Sequence, residues 1–415
     1  MANSLKIALL GCGTVGSEVV RLLQQNAEIY RNRCGRPLEI IGIAVADPKR
    51  ARPTWVDSHL LTTDASSIIE RADIVIELIG GIGLTAQLVE SALASGKSVV
   101  TGNKAALATH GEKWFTLAEQ RGARIGYEAA VAGAVPIVAA LQNSLAGDRV
   151  RSFAGILNGT TNFMLQQMGQ GQSYEDALTK AQQLGYAEAD PTADVEGYDA
   201  AAKCALLANL AFGTAATLES VPTQGIKALT VTDNQEAAAF RQVIKLVAVG
   251  ILGEDAAYVG VLPASVPARS QIGQTGGANN AVRVCADAAG ILTFSGAGAG
   301  GAPTASAVLG DLVRIASGTQ KQHTPKSAAG KDPLKIRELG EYPLKYRLRT
   351  TLRDPHVLPE LGAAKIVSKT LPGEDDDRIF VLTNAITGGE LAEIKRQITA
   401  AGSEIEAEMV VLDAN

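Results

Sequence analysis

The chain has 415 residues and a mass of 43.0 kDa, a length that suggests two or three domains at roughly 100–200 residues each. Apolar residues make up 46% and charged residues 20%, the balance of an ordinary globular protein, while aromatics at 4% argue against base-stacking platforms for single-stranded nucleic acid. A net charge of −5 leaves no basic footprint for a phosphate backbone, and no apolar run is long enough to span a bilayer. The N-terminus runs from Met1 to Lys6 directly into a strand-like segment, leaving no room for a signal peptide. Cys12, Cys34, Cys204 and Cys285 are scattered without a C-x-x-C pair, so a reduced, cytoplasmic setting is expected, with neither a disulfide framework nor a zinc site.

Residues 6–10 form a short apolar run ending in Gly11-Cys12-Gly13-Thr14-Val15-Gly16. Val15, Val19, Leu22 and Leu23 then mark one face of a helix. Strands follow at 38–45, stopped by Asp47-Pro48, at 73–78, ended by Gly80-Gly81, and at 98–100 and 124–127, with helical segments between. Strands alternating with helices imply a parallel sheet covered on both faces. Residues 1–130 therefore read as a doubly wound α/β domain of Rossmann type. From 131 the pattern becomes α+β. A strand at 150–157 leads into Asn158-Gly159-Thr160-Thr161-Asn162, a helix starts at the N-cap Ser173 and stops at Gly185, and a second helix spans 196–212. Further strands are expected at 258–262, 281–285 and 291–294, then a glycine cluster at 296–301. A helix at 304–317 returns to the first domain, which makes 131–303 the substrate and dimerisation domain. Residues 318–339, with Lys321, Lys326, Lys331 and Lys335, read as a linker. Strands at 346–352, 364–370, 378–383 and 406–412 with a helix at 391–401 make 340–415 a small α+β module.

Gly11-x-Gly13-x-x-Gly16 between a strand and a helix is the dinucleotide fingerprint in its required context. Gly11 permits the tight turn, Gly13 lets the backbone approach a pyrophosphate, and Gly16 lets helix and strand pack closely. At the end of the second strand, Asp47 can hold a ribose 2′-hydroxyl, while Lys49 and Arg50 can accept a 2′-phosphate; Asp47 can equally begin a turn before Pro48. Lys104 follows the strand at 98–100, where the carboxyl ends of a parallel sheet line the ligand crevice, although a lone lysine is often only a solvated one. Asp199 and Lys203 are i and i+4 on a helix that turns apolar after Lys203. Such a pair is often a surface ion pair, but at the mouth of a buried helix the carboxylate would keep the ammonium charged and oriented for proton exchange. His59, His110, His323 and His356 lie outside all these motifs, so lysine is the better acid–base candidate.

Together these motifs resemble homoserine dehydrogenase over almost all of residues 5–317. The match runs through 11–16, Glu77–Gly81, Thr101–Ala105, Glu128–Gly133, Leu157–Asn162, 184–203 and 298–307. The resemblance implies reversible reduction of L-aspartate 4-semialdehyde to L-homoserine with NADP or NAD, on the route to threonine, methionine and isoleucine. It implies that Glu188 and Asp199 bind the amino-acid substrate, that Lys203 is the proton donor, and that Lys104 is a second lysine near cofactor and substrate. Gly11, Gly13, Thr14, Val15, Gly16 and Gly300 would hold the cofactor. Glu128, Val131, Gly133 and Val135 match a loop that binds a monovalent cation, commonly sodium, mostly through backbone oxygens. Ala46 stands where the family often has an arginine beside the 2′-phosphate, which leaves Lys49 and Arg50 as the expected cations. The module at 340–415 resembles an ACT domain, but around Asp354–Leu361 it is shortened and lacks the family's glycine. An oligomerisation surface without a competent threonine pocket is expected there, with the strand at 378–382 leaving a sheet edge for subunit pairing. Partners implied are a small amino-acid substrate and further copies of the chain, as homodimer or homotetramer, with no nucleic acid or membrane. Two other readings stand beside this one: an aldehyde dehydrogenase acting on aspartyl phosphate, which needs a cysteine nucleophile paired with histidine, and a cofactor-binding, amino-acid-sensing regulator without turnover.

Overall fold

The computed structural model describes residues 3–319, 332–351, 364–371 and 377–413. Its packing groups the chain into two compact units: residues 1–149 with 205–220 and 294–335, and residues 150–204 with 221–293 and 336–415.

The first unit holds six strands, β1 (Leu5–Leu10), β2 (Leu38–Ala44), β3 (Leu61–Thr62), β4 (Ile74–Glu77), β5 (Ser98–Thr101) and β6 (Ile125–Gly126), in the order β3-β2-β1-β4-β5-β6. The pairings are parallel throughout. Leu5 and Ile7 to Leu10 are all buried, the near-continuous apolar run that a strand covered on both faces requires. Helix Thr14–Gln25 buries Val19, Val20 and Leu23 against this sheet, while Val15 and Leu22 pack at the margin of the core. The apolar face is thus turned slightly from the one expected. Helix Gly301–Ala316 joins the same core through Ala305, Val308, Leu309, Leu312 and Ile315. The strand order reverses between β1 and β4. That switch point is where doubly wound sheets open a ligand crevice at the carboxyl ends of their strands.

The second sheet contains β7 (Val150–Ile156), β8 (Gln242–Leu252), β9 (Ala256–Pro267), β10 (Asn279–Ala286), β11 (Gly290–Ala297), β12 (Lys335–Glu338), β13 (Lys345–Thr350), β14 (Ala364–Thr370), β15 (Asp377–Thr383) and β16 (Ile405–Val411). Its order is β11-β10-β7-β8-β9-β16-β13-β15-β14, with β12 paired to β9. The eleven-residue β8, central to the sheet, and the helices Gly159–Gly169 and Val231–Ala239 were not expected from the sequence pattern. β8 is buried almost continuously, so it lacks the two-residue alternation that marks a half-exposed strand. Part of the polar stretch 318–339 is also ordered, as β12, and Lys321, Lys326, Lys331 and His323 lie outside the described residues.

The tail strands pair antiparallel in the order β16-β13-β15-β14, with helix Gly388–Ala400 between β15 and β16 in sequence. The strand at 378–382 is therefore not the edge it was expected to be. β15 is flanked by β13 through Leu348↔Val381 and by β14 through Ile366↔Val381, and the edge falls to β14. β16 pairs in parallel with β9 at Val410↔Ala264 and Val411↔Ser265, which makes the tail a continuation of one sheet. Two arginines of β13 reinforce the junction. Arg347 is buried, donates to Gln242 Oε1 at 2.8 Å and Ser265 Oγ at 3.1 Å, and lies 5.2 Å from the Phe240 ring centroid. Arg349 pairs with Glu236, and with Asp233 at 3.6 Å. The shortened segment at Asp354–Leu361, with His356, lies outside the described residues.

Candidate active site

In the first unit a cavity of about 950 Å³ opens at the carboxyl ends of β1, β2 and β4, lined among others by Gly11, Gly13, Thr14, Ala44 and Leu78. Gly11 has φ +94°, and a Cβ there would lie 2.5 Å from the Leu78 carbonyl oxygen; one on Gly16 would lie 2.3 Å from the Gly11 oxygen. Only glycine fits either position. A Cβ on Gly13 would meet nothing within 4 Å, so that side of the turn is open space for a ligand. Helix Thr14–Gln25 starts there with no side-chain cap and no acidic residue in its first turn, so its N-terminal N–H groups and dipole suit an anionic pyrophosphate. Gly300, with φ +123°, caps helix Gly301–Ala316, and a Cβ on the adjacent Gly301 would lie 3.1 Å from Thr14 Cγ2. These residues fit a dinucleotide. Asp47 is folded into its own turn, its Oδ1 accepting from the Lys49 N–H at 2.8 Å. Of the two cations expected beside a 2′-phosphate, Arg50 lines the cavity and Lys49 does not, while Arg52, not singled out from the sequence, does.

Further polar order surrounds the ends of β4 and β5. The buried Glu77 accepts from the Ile79 N–H at 2.8 Å, the Gly80 N–H at 3.2 Å and Thr101 Oγ1 at 2.5 Å. Asn103 caps the helix Lys104–Arg121 by accepting from the Ala106 N–H, and its amide donates to the Gly81 oxygen. Lys104, half-buried, is the first residue of that helix, directly after the carboxyl end of β5.

The second unit gathers a cluster of charged and amide side chains. Lys203 and Asp199 pair at 2.7 Å, with side chains 12% and 10% exposed, which separates them from an ordinary surface ion pair. Lys203 Nζ also donates to the Leu157 carbonyl at 2.7 Å. Two of its three N–H groups are thereby used and its direction is set. Asn158, the N-cap of helix Gly159–Gly169, is the member that sequence reasoning missed. Its Oδ1 accepts from the Thr161 N–H, and its Nδ2 donates to Asp194 Oδ1 at 2.6 Å and Asp199 Oδ2 at 2.9 Å. One amide thus bridges two carboxylates. Burial pushes Asp194 above the usual carboxylate range; the Asn158 amide opposes the rise and the Asp199 charge adds to it. Glu188, exposed, follows helix Tyr174–Gln183 in the chain, its carbonyl accepting from Gln182 Nε2 at 3.1 Å. The Tyr186 carbonyl accepts from Thr160 Oγ1 at 2.6 Å, tying the 184–190 segment to the same helix start. The Asn-Gly-Thr-Thr-Asn string itself was legible. The signal it carried was that of an N-cap, with Asn158 followed by a helix three residues deep in polar side chains.

Glu128, Val131, Gly133 and Val135 lie on one tight loop of the first unit, where Ala132 and Gly133 take consecutive left-handed conformations at φ 57° and 62°. The Glu128 carboxylate accepts from the Val138 and Ala139 N–H groups, each at 2.8 Å, and faces Arg314 at 3.4 Å. Burial, with the Asp311 charge added, pushes it up to about 7. Its side chain is thus committed to protein donors, so a cation at this loop would have to be held by backbone oxygens. No group of three or more His, Cys, Asp or Glu side chains suited to a metal occurs among the described residues. Burial pushes the Cys204 thiol up to about 12 and raises Cys12 and Cys34 as well, the opposite of an activated thiolate, so none of these three suits the cysteine-nucleophile reading. No helix among the described residues is long and apolar enough to cross a membrane.

Two family models match the chain: "Homoserine dehydrogenase, NAD binding domain" over residues 11–128 and "Homoserine dehydrogenase" over residues 136–313. A homoserine dehydrogenase of Corynebacterium glutamicum is 43% identical over 406 residues, covering 94% of this chain and 91% of the relative. The crystal structure of a homoserine dehydrogenase from Thiobacillus denitrificans superposes with a TM-score of 0.89 at 34% identity, over 100% of this chain and 99% of that one. A hyperthermophilic archaeal homoserine dehydrogenase, solved in complex with NADPH, shares the fold at a TM-score of 0.65 and 23% identity, over 77% of this chain and 100% of its own.

Proposed function

This chain belongs to the homoserine dehydrogenase family of NAD(P)-dependent oxidoreductases, and on that premise we propose how its own residues carry the interconversion of L-homoserine and L-aspartate 4-semialdehyde. The observation that carries the assignment of roles is the Asp199–Lys203 pair, nearly buried and held from a second side by the Leu157 carbonyl. Lys203 is the general acid in reduction. Its remaining N–H faces the aldehyde oxygen and delivers the proton there as the carbonyl carbon receives hydride; in the oxidative direction the neutral amine takes the hydroxyl proton back. Asp199 pairs with the ammonium and aims it. Glu188 and Asp199 bind the amino group of the substrate, and Lys104 contacts substrate and cofactor. When bound, the nicotinamide cofactor, NADP or NAD, supplies or accepts the hydride. Gly11, Gly13, Thr14, Val15, Gly16 and Gly300 hold its pyrophosphate end, with the Gly13 side of the turn open to it.

The functional division that follows is a dinucleotide-binding region at 1–130 with the returning helix 304–317, a substrate-binding and dimerisation region at 131–303, a connecting stretch at 318–339, and an ACT-like tail at 340–415. The loop carrying Glu128, Val131, Gly133 and Val135 takes a sodium ion through backbone oxygens. The enzyme works as a homodimer or homotetramer in the cytoplasm, where its free cysteines are at home. The assay is spectrophotometric: purified chain, L-homoserine, and NAD or NADP in separate cuvettes at alkaline pH. A rise in reduced-cofactor absorbance is expected, and its absence in both cuvettes overturns the assignment. Replacing sodium by tetramethylammonium tests the cation: a lower Tm and lower activity without sodium are expected, and equal values in the two salts remove it.

A further inference from the structure

Glu77 ends β4 and Thr101 ends β5, and the parallel register sets the two side by side. Both are fully buried. A buried carboxylate is costly unless donors surround it. Here Oε1 accepts the Ile79 N–H at 2.8 Å and the Gly80 N–H at 3.2 Å, and Oε2 accepts the Thr101 hydroxyl at 2.5 Å. Thr101 Oγ1 itself accepts the Asn103 N–H at 3.0 Å, so its single proton is the one given to Glu77. Three donors thus converge on one side chain, and only a group that accepts at every position fits there.

The carboxylate reaches the next helix by two routes. Through Thr101 it holds the Asn103 N–H. Through the turn after β4 it meets the Asn103 side chain, whose Nδ2 donates to the Gly81 carbonyl at 2.7 Å. Thr85 Oγ1 pins the same turn from another side, donating to the Gly80 carbonyl at 2.7 Å. Asn103 Oδ1 then accepts the Ala106 N–H at 3.1 Å and caps helix Lys104–Arg121. The circuit closes on the residue directly before Lys104, so the point from which the Lys104 side chain departs is fixed by Glu77. A helix cap needs only Asn103 and the Ala106 N–H. The buried carboxylate and hydroxyl behind it are more than a cap requires.

We propose that Glu77 is a positioning residue for the reaction: acting through Thr101 and Asn103, it sets the start of helix Lys104–Arg121 and so the place from which Lys104 reaches the substrate. The inference rests on the dehydrogenase reading above, in which Lys104 contacts substrate and cofactor, and deepens it. Glu77 touches neither ligand. Its carboxylate is spent on the turn that carries Ile79, which lines the cofactor cavity, and on the hydroxyl at the end of β5.

The test is a double-mutant cycle on the full chain, read as homoserine oxidation. Glu77→Gln keeps the shape but turns an NH2 group toward a donor, and should lower kcat/KM for L-homoserine about tenfold, chiefly by raising KM. Thr101→Val should act in the same direction, whereas Thr101→Ser, which keeps the hydroxyl, should stay within about twofold of the unaltered chain. Lys104→Met sets the floor. Adding Glu77→Gln to Lys104→Met should change kcat/KM by less than about twofold, because the group being positioned is already gone. Independent losses that multiply in the double variant overturn the proposal, as does an unchanged KM in Glu77→Gln. If Glu77→Gln fails to fold, the same cycle with Thr101→Val decides. Amide hydrogen exchange is the arm that needs no activity. Glu77→Gln should lose protection both in the turn after β4 and at the start of helix Lys104–Arg121, with helix Thr14–Gln25 unchanged, and loss confined to the turn overturns the proposal. Absence of turnover by the unaltered chain with either cofactor removes the dehydrogenase reading instead, while the exchange result still decides whether Glu77 sets the helix start.

Discussion

The glycine turn at 11–16 meets its ligand with backbone. Its specificity lies in what is missing: side chains at Gly11 and Gly16 that would collide with main-chain oxygens at 2.5 and 2.3 Å, and a capping or acidic side chain at the start of helix Thr14–Gln25. The cluster around Lys203 works with side chains. Asn158, Asp194, Asp199 and Lys203 share a small, poorly solvated volume in which each hydrogen bond and each charge alters the others. The comparison teaches that a backbone site is limited by space and a side-chain site by charge. The first should respond to added atoms and be indifferent to pH. The second should accept modest changes in volume and respond sharply to a change in proton affinity.

The largest effect expected is that of Lys203→Met. Loss of a positioned general acid should lower kcat by about 10²–10⁴-fold, while NADPH binding measured by fluorescence stays close to that of the unaltered chain. Near-normal turnover would take Lys203 out of the acid role. Next is Arg349→Met, which asks whether charge also limits the side-chain-built unit away from its site. Arg349 and Glu236 have side chains 13% and 3% exposed. Removing one partner of such a pair leaves a buried charge and should cost about 3–5 kcal/mol in chemical denaturation. A loss under about 1 kcal/mol would mean that the pair is hydrated.

Gly16→Val tests the space-limited site. Forcing side-chain atoms against the Gly11 oxygen should cost about 1–3 kcal/mol of stability and weaken NADH and NADPH together, with an unchanged pH profile. Selective loss of one cofactor would show that the turn does more than cradle the pyrophosphate. The smallest effect belongs to Asn158→Ala. Losing the amide that bridges the two carboxylates should lower kcat/KM by about tenfold. The sign of its pH dependence is the sharper readout. Burial already raises Asp194, and the Asn158 amide opposes that rise. Without the amide its pKa climbs further, so Asp194 is ionised only at higher pH and the acid limb of the profile moves upward. An acid limb that stays in place would reduce Asn158 to a helix cap.

Much of the fold and the core of the candidate site was legible in the chain because the information was local. The strands at β1, β2, β4 and β5 announce themselves as apolar runs, the glycine spacing fits a strand–turn–helix, and Asp199 and Lys203 are four residues apart on one helix, so their pairing follows from helical geometry. The bridge from Asn158 to Asp199 spans 41 residues, and nothing in either neighbourhood specifies the other. The same is true at the cofactor cavity, where the Trp55 indole N–H donates to the Ser17 carbonyl, 38 residues away. β8 escaped because its eleven residues, mostly apolar, show no alternation and are long enough to read equally as a buried helix, whereas the shorter runs of β1 and β4 read as strands by length. The order β16-β13-β15-β14, the interior place of β15 and the joining of β16 to β9 were settled only by tertiary structure. Strand propensity says that a segment will pair; which neighbour it takes is decided by side-chain packing and buried charge across the sheet, here by Arg347 and Arg349 reaching Ser265 and Glu236.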